Sequence, residues 1–152
     1  MAKFIYRMQN ILNLKYKLEE QAKTAFGLAQ RKLLEEEQKL EEQGKQKEEY
    51  LHQLKSLMKG SLDVRRLTRL EHAVEDVKEQ MKLQKIRILD AEHKVEQARE
   101  RLKEAMIERK TQEKLRENAF EEFKEEINQQ EKKEVDELVS YKYSQREAES
   151  MA

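Results

Sequence analysis

Few side chains in this chain are spaced to do chemistry together. His93 sits beside Glu92 and three residues before Glu96, which would put an imidazole and a carboxylate on one helical face. A metal site needs two or three ligands converging on one point, and His52 and His72 are scattered elsewhere. Glu92, Glu96, Glu100, Glu104 and Glu108 recur every four residues. General acid-base catalysis needs such carboxylates held in a cleft with displaced pKa values. A solvated face, compensated locally by Arg99 and Lys103, accounts for the ladder. With 3 glycines and no cysteine there is no phosphate-cradling loop, thiol nucleophile or thiolate metal site. The residues predict a protein that is not an enzyme and carries no metal or cofactor.

The elements that would position these side chains follow from composition. Charged residues make up 42% and aromatics 6% of 152 residues, with neither proline nor tryptophan. Ala, Glu, Lys, Leu and Arg supply 89 positions, well above the roughly half that marks long helices and coiled coils. The 37% of apolar residues is too thinly spread for a multilayer core. No apolar run approaches the roughly 18 residues of a membrane span, and the absence of cysteine fits a reducing compartment, so a soluble intracellular protein is expected. The 32 basic and 32 acidic groups cancel. Their order does not: the first 34 residues hold seven basic groups against Glu19 and Glu20, whereas residues 124–152 hold five against eight acids. Nucleic acid is a poor fit to such interleaved charge, because phosphate binding requires a sustained basic stripe.

Periodicity is strongest in the second half. Leu67, Val74, Met81, Ile88, Val95 and Leu102, continuing through Arg109 and Arg116 to Phe123, interleave with Leu70, Val77, Gln84, Ala91, Ala98, Ala105, Gln112 and Ala119. Steps of three and four sustained this long make a coiled-coil seam. The first half reads Phe4, Met8, Ile11, Lys15, Leu18, Ala22, Ala25, Ala29, Leu33, Glu36, Leu40, Gln43, Lys47, Tyr50, Leu54 and Leu57. Two successive four-residue steps at Ala25, Ala29 and Leu33 predict a skip in the supercoil, and Gly27 and Gly44 predict a softer helix.

Between the halves, Lys59-Gly60-Ser61-Leu62-Asp63 interrupts the pattern. Gly60 suits a left-handed helix stop, and Ser61 or Asp63 suits the cap of a following helix. The expected fold is all-α: a long antiparallel two-helix coiled-coil hairpin with a first helix at 1–58, a turn at 59–63 and a second helix at 64–143. Residues 144–152 read as a disordered tail. Each arm would measure on the order of 80 Å at 1.5 Å per residue. A straight rod dimerised in parallel is the alternative. Folding near residue 60 pairs positions that sum to about 120, so Leu54 meets Leu67, Tyr50 meets Leu70, Leu40 meets Met81, Leu33 meets Ile88 and Glu36 meets Gln84.

That register sets Phe4 opposite residue 117 and predicts a C-terminal overhang from about 118. Phe120, Phe123, Ile127, Val135, Leu138 and Tyr141 continue the stripe there with a polar gap at Glu131, and an uncovered apolar stripe marks either an interaction surface or a segment that frays when alone. The basic segment with Phe4, Ile5, Tyr6 and Met8 could lie on a membrane. Alternatively it closes the open end against Phe120, Phe123, Glu117, Glu121 and Glu122, where opposing acids explain its charge. At the turn, Tyr50, Leu54 and Leu70, together with Leu51, Leu57, Leu62, Val64 and Leu67, make either a small terminal core or a docking patch.

The run Phe4-Ile5-Tyr6-Arg7-Met8-Gln9-Asn10-Ile11-Leu12-Asn13-Leu14-Lys15, followed by Glu19-Glu20, resembles the opening of the FliJ family of flagellar type III export proteins. That opening reads Phe-x-Tyr-x-Leu-Gln-x-hydrophobic-Leu, with Met8 here in place of leucine. Gln130-Glu131-Lys132-Lys133-Glu134-Val135-Asp136-Glu137-Leu138 is similar to the family's late stretch. The resemblance implies a monomeric stalk and escort protein, similar in form to the gamma subunit of rotary ATP synthases. Its open end would enter the hexameric export ATPase and promote its assembly or activity. Its body or tip would meet the export gate membrane protein and help to bring in export chaperones and their substrates. Phe4, Met8, Phe120, Phe123, Ile127, Val135 and Leu138 would then face the ATPase, and Tyr50, Leu54 and Leu70 the gate. The implied setting is the cytoplasm, peripherally and indirectly associated with the inner face of the cell membrane at the flagellar base. The wider context is flagellum biogenesis, motility and chemotaxis. An injectisome stalk is a close variant. A self-associating structural coiled coil and a holdase chaperone are the alternatives from other classes.

Overall fold

The computed structural model describes residues 2–60 and 63–151. Two helices account for nearly all of them: α1, Gln9–Met58, of 50 residues, and α2, Val64–Met151, of 88 residues. They pack on each other as the expected antiparallel hairpin. α2 runs on to Met151, through most of the stretch read as a tail at 144–152, because its Gln, Arg, Glu, Ala and Met content favours helix whether or not it is packed; Ala152 lies outside the described residues. The chain divides into two compact units, one of Glu19–Ala105 and one of Met1–Leu18 with Met106–Ala152.

In the Glu19–Ala105 unit the seam of α2 follows the expected heptads. Val74, Val77, Gln84, Ala91, Val95 and Ala98 are its buried residues, with Leu67, Leu70, Met81, Ile88 and Leu102 half-buried in the same series. The two polar members meet at the expected register. Gln84 is fully enclosed, and its Nε2 donates to the Glu36 carbonyl oxygen at 2.8 Å and to the Glu36 carboxylate. Lys32 Nζ lies 3.0 Å and Lys39 Nζ 3.7 Å from the same carboxylate. Hydrogen bonding from Lys32, then from Gln84, holds the Glu36 carboxyl below its ordinary pKa, and the same Lys32 contact raises the Lys32 amine.

The skip predicted in α1 is absent. From Leu12 onward the seam runs Leu12, Lys15, Glu19, Ala22, Phe26, Ala29, Leu33, Glu36, Leu40, Gln43, Lys47, Tyr50, Leu54 and Leu57, alternating three and four, with Gly44 half-buried beside Gln43 and Gln9 half-buried ahead of Leu12. Met8, Ile11 and Leu18 are exposed instead, at 43%, 38% and 38%. Following apolar identity there leaves the true phase by one residue. A two-helix seam is narrow enough for Lys and Glu to bury their stems while their charged ends find partners. Lys15 does so with Glu108 at 2.9 Å.

Asp63 caps α2. Its Oδ1 accepts from the backbone N–H of Arg65 at 3.2 Å and of Arg66 at 3.4 Å, and its carbonyl accepts from Leu67 at 3.0 Å. Ser61 and Leu62 lie outside the described residues. α1 closes by tightening, with Lys59 N–H bonded to the Ser56 carbonyl and Gly60 N–H to that of Leu57, both at 3.4 Å. Gly60 has no positive φ, so the expected left-handed stop is replaced by bonds between residues three apart.

A Cβ added at Gly27 or Gly44 would meet nothing within 4 Å, and neither residue has positive φ. Gly27→Ala and Gly44→Ala should therefore each stabilise the hairpin by about 1 kcal/mol, the glycine cost in a helix interior. Urea denaturation followed by circular dichroism checks this, and an unchanged or lower midpoint would show that these helix positions are not freely open.

Candidate functional site

In the Met1–Leu18 and Met106–Ala152 unit, a non-helical segment precedes α1 and lies against α2. The Phe4 ring meets Phe120 edge-on, with centroids 5.1 Å apart, and Phe123 at 5.3 Å. The Arg116 guanidinium lies 5.7 Å from the Phe4 centroid, while its Nε donates to Gln9 Oε1 at 3.0 Å. That second role explains why Arg116 is exposed although it occupies a seam position. Lys124 Nζ covers the Phe120 ring at 4.6 Å. The amino-terminal segment therefore closes this end through edge-on and tilted ring contacts flanked by cations.

Two details differ from expectation. Phe4 reaches Phe120 and Phe123 instead of residue 117, because residues before α1 are not helical and extended chain advances up to about 3.3 Å per residue against 1.5 Å in a helix. The uncovered stripe therefore begins farther along α2 than the helical register places it. The acids expected to neutralise the segment pair along their own helix instead, Glu117 with Lys114 at 3.5 Å and Glu121 with Lys124 at 3.6 Å.

Behind the rings lies a polar layer. Lys15 bonds Glu108, and the Tyr16 hydroxyl donates to Glu113, which also receives Arg109 Nη1 at 3.0 Å. The hydrogen bond to Glu113 raises the Tyr16 pKa. Glu108, the last rung of the glutamate ladder, thus joins the two helices, whereas Glu96 compensates locally with Arg99 at 3.5 Å. The Tyr6 hydroxyl and Gln112 Oε1 are enclosed without hydrogen-bond partners among the described residues, each a cost of about 1–3 kcal/mol.

Beyond the ring cluster α2 continues without cover. Ile127 is half-buried, and every residue from 128 to 151 is exposed. Val135, Leu138, Val139 and Tyr141 are 56–62% exposed and fall at helical spacing on one side. Of the residues assigned to this end by sequence, Phe4, Phe120 and Phe123 form one cluster. Met8 supplies the carbonyl that opens α1, bonding Leu12 N–H at 3.1 Å. Val135 and Leu138 stand apart on the extension.

The other candidate surface is at the turn, in the Glu19–Ala105 unit. Tyr50, Leu54 and Leu70 are half-buried, and the Tyr50 hydroxyl accepts from Gln46 Nε2 at 2.9 Å. Leu57 and Leu70 line a shallow cleft between the helices with Gln53, Ser56, Arg66 and Arg69. Sequence reasoning treated this end as apolar and passed over its basic residues. It also missed Leu83, Ile86 and Leu89, exposed at 55%, 62% and 65%. Their signal was that they are apolar yet out of seam phase. Among the described residues no group of three His, Asp or Glu side chains is placed to hold a metal, and no helix is long and apolar enough to cross a membrane.

Packed helices and a ring cluster are common to many coiled coils, so family membership rests on the sequence as a whole. The profile of one family, described as the flagellar FliJ protein, matches residues 4–148. This chain belongs to the FliJ family. The match runs from the Phe4 ring cluster through the turn and along nearly all of the α2 extension. FliJ membership gives the chain a role related to flagellar protein export, in a family of export components and not of known enzymes. The chain matches no curated protein and no solved structure.

Proposed function

We propose that this chain is a non-enzymatic stalk and escort of the flagellar export apparatus, with its α2 extension as the docking end for the hexameric export ATPase. One observation carries the reading: a long helical extension, exposed from 128 to 151, that keeps Val135, Leu138, Val139 and Tyr141 outside any seam. Exposed apolar groups at helical spacing suit insertion into a protein lumen. The ring cluster of Phe4, Phe120 and Phe123 forms the shoulder at which insertion stops, and Met8 and Ile127 flank it. In this reading the chain promotes assembly or activity of the ATPase. The end bearing Tyr50, Leu54 and Leu70 faces the export gate membrane protein and the export chaperones, in the cytoplasm at the inner membrane face.

A chain ending at Ile127 tests this while keeping Phe4, Phe120 and Phe123 together. In a pull-down on the export ATPase it should bind at least about 10-fold more weakly than the full chain, the loss expected from removing a few apolar anchors. Val135→Ser with Leu138→Ser in the full chain should reproduce most of that loss. Equal binding by all three would remove the extension as the docking end. A concentration-dependent dimer in solution would favour a self-associating coiled coil instead.

A further inference from the structure

The turn end carries a charge that neither the seam nor the ATPase-docking reading uses. Residues 51–70 contain Lys55, Lys59, Arg65, Arg66 and Arg69 against Asp63 alone. The flanking stretches reverse the sign: residues 41–50 hold four acids against two bases, and residues 71–80 hold four acids against one base. All five cations are exposed. None of them takes part in an ion pair among the described residues, because Asp63 is the one acid in the stretch and it caps α2.

Helix stability does not explain this placement. Lys55 and Lys59 suit the negative end of α1, but Arg65, Arg66 and Arg69 crowd the first turns of α2, where the macrodipole favours acids. Beside them stand Met58 and Val64, the terminal residues of the two helices, 62% and 70% exposed. Apolar side chains at an apex within a collar of unpaired cations make an interfacial anchor. The cleft between the arms adds two guanidinium side chains, Arg66 and Arg69, beside Leu57 and Leu70, which suits a phosphate with hydrocarbon attached.

We propose that the turn end docks directly on a membrane surface rich in anionic phospholipid, with Met58 and Val64 entering the interface and the five cations meeting the headgroups. The acids in residues 41–50 and 71–80 limit the contact to the end of the hairpin, since like charge repels them from the same surface. The observations behind the proposal, the charge and exposure of the turn end, are separate from those that carry the ATPase-docking reading.

Co-sedimentation of the full chain with phosphatidylglycerol-containing vesicles, against pure phosphatidylcholine vesicles, tests it. Binding should require the anionic lipid and weaken as salt is raised. Each neutralised cation should cost about 5-fold, so Lys59→Gln, Arg65→Gln and Arg66→Gln together should cost on the order of 100-fold with the helical circular dichroism spectrum unchanged. Met58→Gln should weaken binding without altering its salt dependence. Lys3→Gln with Arg7→Gln should leave binding intact. Equal binding to neutral vesicles, or loss confined to the Lys3 and Arg7 variant, would overturn the proposal. So would failure to bind anionic vesicles by a chain that still binds polyglutamate through these arginines, which would mark an acidic protein as the partner.

Discussion

Gln84→Ala should lower the stability of the hairpin by about 2–3 kcal/mol, the range for emptying a buried long side chain and stripping its acceptors of a donor. The Glu36 carbonyl and carboxylate both accept from Gln84 Nε2, so the cavity would be lined by oxygens that had lost a partner. Urea denaturation at neutral pH measures the loss. A change within a few tenths of a kcal/mol would mean that the layer is solvated and not structural. The acid limb moves too. Because the Glu36 carboxyl is held below its ordinary pKa, its stabilisation is complete above the ordinary carboxylate range and is lost as pH falls through the depressed value. Removing Gln84, the second cause of that depression, should raise the pH at which the loss occurs.

Replacing both partners, Glu36→Leu with Gln84→Leu, should instead be neutral or stabilising, since no polar atom is stranded. Its cost falls on register. A single polar layer in an otherwise interchangeable seam is what disfavours sliding by a heptad. With no native cysteine, Leu33→Cys and Ile88→Cys should crosslink within one chain. In the double-leucine background, Leu33→Cys should also trap Met81→Cys or Val95→Cys. Crosslinks only between chains would contradict the hairpin.

The second large effect is expected at the other unit. Phe4→Ala removes two ring contacts and the surface under the Arg116 guanidinium, together about 2 kcal/mol. The opening should be local. Amide exchange in the first turns of α1 should accelerate about 10- to 30-fold, the equivalent of that energy, while residues 19–105 keep their protection. Phe4→Leu should be intermediate. Unchanged exchange in both variants would show that Phe4 rests on α2 without holding the segment there.

The α2 seam from Leu67 to Gln112 was legible because a heptad of branched and small apolar residues admits one phase, and its polar pair announced its own partner. The amino-terminal half of α1 was not, because the phase is carried there by Leu12, Glu19 and Phe26 while Ile11, Leu18 and Ala25 offer an apolar alternative one residue away. Counting hydrophobes cannot distinguish a glutamate whose stem is buried in the seam from one that faces water. The meeting of Phe4 with Phe120 and Phe123 was readable as a pairing of aromatic ends. Its offset depended on where the helix starts, and α1 starts without a side-chain cap or an acid in its first turn. The basic turn end was visible in the residue order and was overlooked because apolar residues drew attention to the same place.

The bare stretch of α2 from 128 to 151 also bears on how a partner is engaged. Starting a helix from coil is the improbable step, with a nucleation constant of roughly 10⁻³, and here that step has been taken upstream by the packed part of the same helix. The extension only propagates. Cut out as a free peptide of similar length it would be largely coil, and a binding partner would have to supply the ordering that the intact chain already provides. Affinity measured with an isolated C-terminal peptide should therefore fall short of that of the whole protein, even with every contacting side chain present.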